Sequence, residues 1–417
     1  MSLIKIMVSL GLLCFSTPES LSSLSAQNFE EFRRQVEELG ELTEPPKTYV
    51  AEGFESDAQL SAIFYEGLSW QGRATRVFAW LGFPSETNAT PESQDAPNRF
   101  PAIVLVHGGG GTAFKEWVKL WNDRGYVAIS IAVEGQTDQR RGNGMRGWIS
   151  HEWKGPHRIG IYQDTEAPLK DQWMYHAVAD TILAYSLLAN LPQVDPERIG
   201  LMGISWGGVI ASTVAGIDQR FNFIIPTYGC GGLENADNQW GRALGTNRMY
   251  HHVWDPLLRL PRAQMPILWL SWTGDTHFPM DCLARSCEAA NGPHLLTLVP
   301  EMGHGHAAGW IRPESYAFAD SVTQAGEIWL KQESLRLEQQ TLNAVFSVNK
   351  SVDDVLLYST RSAGESPNRH WTVTPLSWNQ DGNRISIRGE LPEETRAFFI
   401  NLKSGKLYGS SDYQHAR

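Results

Sequence analysis

Basic charge is what this 417-residue chain has too little of: 35 Lys and Arg stand against 46 Asp and Glu, a formal net charge of −11 at neutral pH. With no basic field to attract phosphates, a general nucleic-acid-binding role is excluded. Cysteine is scarce too, at 4 residues. Cys14 lies in an N-terminal apolar run, which leaves Cys230, Cys282 and Cys287, room for one intramolecular bridge at most. Cys282 and Cys287 either pair in an oxidising compartment or stay as buried thiols. A zinc-type H-E-x-x-H is lacking; "HEWKGPH", His151 to His157, has the wrong spacing. No metal site is expected, and beyond the N-terminus no run is long and apolar enough for a membrane span. Internal repeats and low-complexity tracts are absent.

The one long apolar run, Ile6–Phe15 after Lys5, is too short for a comfortable span and is followed by small residues. It reads as a secretory signal over 1–26, cleaved after Leu24-Ser25-Ala26, so the mature chain is expected to be secreted or periplasmic. From residue 27 to 334, apolar runs that stop at glycines alternate with helical spacing. "AIVLVHGGGG", "GYVAISIAV", "RIGLMGIS", "FNFIIPTY", "MPILWLSW" and "HLLTLVP" fit strands buried on both faces. That alternation predicts an α/β fold with a mostly parallel sheet. Residues 135–171, rich in Gly, Arg, His and Trp, break the rhythm and suggest a functional loop or lid. From 335 to 417, short alternating strands with turns such as Asp381-Gly382 predict a small, sandwich-like all-β domain.

The chemistry starts at "GISWGG", residues 203–208. A bare G-x-S-x-G match decides little in a chain with 38 glycines. Its setting decides more: a buried strand precedes Ser205 and a small-residue helix follows, as a nucleophile elbow requires. Gly203 and Gly207 leave room for the tight turn. A seryl hydroxyl needs a base, and the base an orienting carboxylate. Two later strands run into Asp275 and into His304, with His306 as the rival base. "HGGGGT", residues 107–112, ends an earlier strand; with the N–H of Trp206, Gly109 or Gly110 is placed to form an oxyanion hole. Trp148, Trp153 and His306 are candidates for a substrate pocket.

These motifs, together with "FYEGLSWQGRATRVFAWLGFP", "YGCGGL", "FPMD" and "MGHGH", resemble the secreted α/β-hydrolase family of acetylxylan esterase and dienelactone-hydrolase-like proteins over most of residues 60–320. The resemblance implies a triad of Ser205, Asp275 and one histidine of the "HGH" pair. It also implies an α/β-hydrolase fold, a carboxyl-ester hydrolase and no cofactor. True dienelactone hydrolases carry a cysteine nucleophile where this chain has Ser205, which argues against lactone activity. The expected substrate is a small acyl ester or an acylated polysaccharide. The alternatives are a prolyl-oligopeptidase-like peptidase, a longer-chain or polyester esterase, and a carbohydrate-binding module with a relic site.

Overall fold

The computed structural model describes residues 18–85, 99–142, 147–325 and 328–416. The apolar run behind the signal reading, and most of the polar loop 84–99, lie outside the described residues. After helix α1 (Pro18–Glu37) come strands β1 (Thr48–Val50), β2 (Leu60–Glu66), β3 (Arg76–Gly82), β4 (Phe100–Val106) and β5 (Val127–Ile131), with α2 (Lys115–Asn122) between the last two. A two-stranded hairpin, β6 (Gln136–Arg140) and β7 (Trp148–Ser150), leads to α3 (Trp173–Ala189). Then strand and helix alternate: β8 (Val194–Ile204), α4 (Trp206–Val214), β9 (Phe223–Thr227), α5 (Gln239–Leu244), β10 (Ile267–Ser271), α6 (Met280–Ala289), β11 (His294–Leu298), α7 (His306–Trp310) and α8 (Pro313–Ala325).

The six strands β5-β4-β8-β9-β10-β11 lie side by side and run parallel. Their inner stretches are mostly apolar, as in strands covered on both faces, and Ile103 to Val106 are wholly buried. Helix α3 is apolar all round and buried along its length, which fits a helix held between the sheet and an outer layer. That layer includes the N-terminal segment, where Ser186 Oγ donates to the Leu42 carbonyl at 2.6 Å.

The expectation of a mostly parallel sheet is overturned. The principal sheet has 14 strands. Only the five pairings inside the central block are parallel. The other eight, all on the flanks, are antiparallel. Strands β1 to β3 join one side as a meander. On the other side, the chain after α8 forms β12 (Leu330–Glu338), β13 (Thr341–Val348), β14 (Asp354–Thr360), β15 (Thr372–Pro375), β16 (Ser377–Asp381), β17 (Arg384–Glu390), β18 (Ala397–Ser404), β19 (Leu407–Ser410) and β20 (Gln414–His415). Of these, β19 pairs antiparallel with β11 at Leu296 and Ser410, so β18, β14, β15 and β20 extend the hydrolase sheet. A separate antiparallel sheet runs β12-β13-β17-β16. Apolar runs mark strands buried on both faces, but they say nothing about which strand closes an edge. That is why the antiparallel share was not foreseen.

Cys230, Cys282 and Cys287 are all buried free thiols. Cys282 and Cys287 sit five positions apart on α6, which turns their side chains to different faces of the helix. Among the described residues, no helix is long and apolar enough to cross a membrane.

Candidate active site

The site is built at the carboxyl edge of the parallel block, where loops leave the strands and ligand sites collect in open α/β sheets. Ser205 stands between β8 and α4 with φ +57° and ψ −114°, a conformation that side-chain-bearing residues rarely adopt. Its neighbours must be glycine. A Cβ on Gly203 would lie 2.0 Å from the Gly207 carbonyl oxygen, and one on Gly207 would lie 2.1 Å from that of Val106. The Ser205 N–H donates to the Thr227 carbonyl at 2.8 Å, which ties the turn to β9.

Beyond β10 the chain turns at Asp275, which is wholly buried. Its Oδ1 accepts the N–H groups of His277 at 2.8 Å and Phe278 at 2.9 Å. Its Oδ2 accepts from His304 Nδ1 at 2.8 Å. His304 follows β11, and its Nε2 accepts from Ser205 Oγ at 3.1 Å. The tautomer follows from these partners: Nδ1 carries the proton and Nε2 offers its lone pair. The imidazole is walled in by Tyr228, at 4.5 Å between ring centroids, by His277 at 4.6 Å and by Phe278 at 6.0 Å. The structure therefore brings Ser205, His304 and Asp275 into one chain of hydrogen bonds and leaves His306 out of it.

The glycine loop after β4 lies beside this chain. A Cβ on Gly108 would meet Ser205 Cβ at 2.9 Å. A Cβ on Gly109 would meet the Trp206 indole at 2.9 Å and Arg158 Nη2 at 3.0 Å. Among the described residues, the backbone N–H groups of Gly109, Gly110 and Trp206 have no hydrogen-bond partner. They are free donors at this edge. Trp206 itself is 7% exposed and packs against Tyr162, Trp173 and Trp240.

The other pocket candidates separate. Trp148 Nε1 donates to the Gly110 carbonyl at 2.9 Å, so the β6–β7 hairpin leans on the glycine loop. Trp153 packs against Phe64 and Arg76 on the β2–β3 flank, where no contact brings it to Ser205. His306 Nε2 accepts the Gly108 N–H at 2.9 Å. Sequence reasoning missed Arg158, which pairs with Glu134 at 2.9 Å and stands over the Trp206 ring. It sits in the aperiodic stretch 135–171, and only that stretch's irregularity hinted at a role. It also missed Tyr228, at φ +65°, though the glycines of "YGCGG" mark the tight turn that carries it.

A serine on a strained strand–helix turn, joined through a histidine to a buried carboxylate at this sheet edge, defines a serine hydrolase of the α/β-hydrolase superfamily. The family model for acetyl xylan esterase (AXE1) matches residues 21–230, half of the chain, and the chain belongs to that family. A second model, the prolyl oligopeptidase family, matches residues 163–321. Dipeptidyl-peptidase 5 of Schizosaccharomyces pombe is 24% identical over 222 residues, which cover 48% of this chain. The match spans 28% of that peptidase's own length. Acetyl Xylan Esterase 1 from Thermoanaerobacterium sp. JW/SL YS485 shares the fold, at a TM-score of 0.50 and 16% identity over 67% of this chain and 89% of that one. A puromycin-hydrolyzing peptidase of Mycobacterium tuberculosis aligns at a TM-score of 0.46 and 19% identity, over 65% of this chain and 40% of that one.

Proposed function

We propose that this serine hydrolase cleaves acyl bonds through a covalent acyl-Ser205 intermediate. One observation carries the reading: the His304 imidazole spans Ser205 Oγ at 3.1 Å and Asp275 Oδ2 at 2.8 Å. In this reading His304 takes the seryl proton as Ser205 attacks the carbonyl carbon. The N–H groups of Trp206 and Gly109 receive the developing oxyanion; such a donor typically contributes about 3 kcal/mol to transition-state stabilisation. The protonated imidazole then gives its proton to the leaving group, and Asp275 holds the ring in the required tautomer. Water repeats the sequence on the acyl-enzyme.

Two substrate classes follow. Peptide-type acyl amides have the broader support among relatives. The prolyl oligopeptidase model spans Ser205, Asp275 and His304 together, and the yeast relative is a peptidase. Small acyl esters, such as acetyl groups on polysaccharide, are the second class. Membership of the acetyl xylan esterase family supports them. The same proposal includes export, resting on the apolar run 6–15, and N-terminal sequencing of the secreted chain tests it.

The deciding experiment compares the chain with Ser205→Ala on aminoacyl and dipeptidyl 4-nitroanilides, 4-nitrophenyl acetate and octanoate, and acetylated xylan. Ser205-dependent release of nitroaniline at rates matching the esters assigns the peptidase class. Ester turnover that falls with acyl length, with acetate release and no anilide cleavage, assigns the deacetylase. Absence of Ser205-dependent turnover on all of them sinks the acyl-hydrolase reading.

A further inference from the structure

Two histidines stand two residues apart after β11, and only His304 reaches Ser205. His306, the first residue of α7, points instead at the glycine loop. Its Nε2 lies 2.9 Å from the Gly108 nitrogen, a contact between residues 198 positions apart. The loop wraps closely around this ring: a Cβ on Gly111 would lie 2.6 Å from His306 Nε2 and one on Gly108 would lie 3.2 Å from it. Phe114 packs against the imidazole at 4.9 Å between centroids. Burial lowers the His306 pKa to about 4, so the ring is neutral at ordinary pH and its Nε2 can accept.

Gly108 is held at both ends. Its N–H goes to His306, and its carbonyl accepts from Gly111 N at 3.0 Å and from His107 Nδ1 at 2.7 Å. His107 is fixed in turn, since its Nε2 accepts the Val133 N–H at 3.1 Å. The Gly108 N–H is therefore spent and is no oxyanion donor, whereas the N–H of Gly109, the next residue, is free.

Resting on the acyl-hydrolase reading, we infer that His306 is a positioning residue that sets the Gly109 donor against Ser205 by holding the Gly108 N–H. The segment that delivers the base would thus also hold the oxyanion hole. A loop that drifts misaligns a donor whose value depends on its being fixed before the charge develops.

The test compares His306→Met, which fills the space with only a weak thioether acceptor, with His306→Gln, whose amide oxygen can take the place of Nε2. Two rates are followed: phosphonylation of Ser205 by a fluorophosphonate probe, and kcat and KM on the best substrate of the panel above. The Met variant is expected to lose on the order of 10²-fold in phosphonylation and kcat with KM nearly unchanged, and the Gln variant to recover to within about tenfold of wild type. A folded Met variant as fast as wild type overturns the inference, and so does a Gln variant as slow as Met. Should Met not fold, Gln decides alone: retention supports the inference and a hundredfold loss refutes it. A wild-type chain that the probe leaves unlabelled at Ser205 overturns the acyl-hydrolase reading and this inference together.

Discussion

The parallel centre of the main sheet and the separate antiparallel C-terminal sheet are built on opposite patterns. In β4, β5 and β9 to β11, successive residues are buried whichever way they point. In β13 every second residue is buried, and in β17 Ile385 and Ile387 are buried between exposed neighbours. Parallel strands need connections that cross over the sheet, so each carboxyl end opens into a loop above the same edge. Three such loops carry Ser205, Asp275 and His304, and a fourth carries Gly109. Antiparallel strands turn straight back on themselves and offer no common edge. Sheet polarity, rather than burial or size, thus separates the half that gathers chemistry from the half that does not.

The largest effect expected from breaking this contrast is at Asp275. Asp275→Asn keeps the shape of the turn but loses the acceptor for His304 Nδ1–H, so the ring can flip its tautomer. The expected loss in kcat is on the order of 10³ to 10⁴, with KM little changed. Steady-state kinetics on the best panel substrate checks it; a loss below about tenfold would show that the carboxylate does not orient the base.

A second difference is in response to pH. Asp180 lies on α3, in the layer covering the parallel centre, and burial raises its pKa from 3.8 to about 8. Its Oδ1 is buried with no partner among the described residues. The folded chain therefore keeps a proton on Asp180 that the unfolded chain has released above about pH 4. The stability from this group is full below that pH. It declines as pH rises and is exhausted above about pH 8, by up to a few kcal/mol at roughly 1.4 kcal/mol per pKa unit. Asp180→Asn should flatten the fall of Tm with rising pH between about pH 4 and 8, the window set by the two pKa values. An unchanged slope would mean that the carboxyl ionises freely in place.

Much of this was legible in the chain itself. The strands of the parallel centre show as apolar runs ending in glycine, and each run's last residues point to a loop at one edge. Hence Ser205, Asp275 and His304 could be named from strand ends, and the structure brings the three together. Trp153 illustrates the limit: an aromatic in an aperiodic stretch gives no direction, and this one packs on the far flank. His306 illustrates another. Its spacing from His304 is plain, but its bond to Gly108 closes across 198 positions, and no local pattern encodes it. The join of β19 to β11 was hidden for the same reason. It rests on a single register pair and on side chains reaching between strands.

That join gives the last and smallest prediction, because it asks whether the flank is only a scaffold. Asn401 on β18 is 1% exposed, and its Nδ2 donates to the Leu298 carbonyl at 2.9 Å. Its Oδ1 accepts from Ser410 Oγ at 2.5 Å, and Ser410 Oγ in turn accepts the Leu298 N–H at 2.9 Å. Leu298 ends β11, and the chain reaches His304 six residues later. Asn401→Ala leaves the Leu298 carbonyl without this donor in a buried place, at a cost of about 1–3 kcal/mol. If the flank only stabilises, Tm falls and kcat measured well below the transition stays at wild type. If the flank also holds the base, kcat falls several-fold at the same temperature while phosphonylation of Ser205 slows in parallel. Because the His304 ring is clasped locally by Asp275, Tyr228 and Phe278, the first outcome is the one expected. A parallel fall in kcat and labelling would show that the antiparallel half reaches into the chemistry.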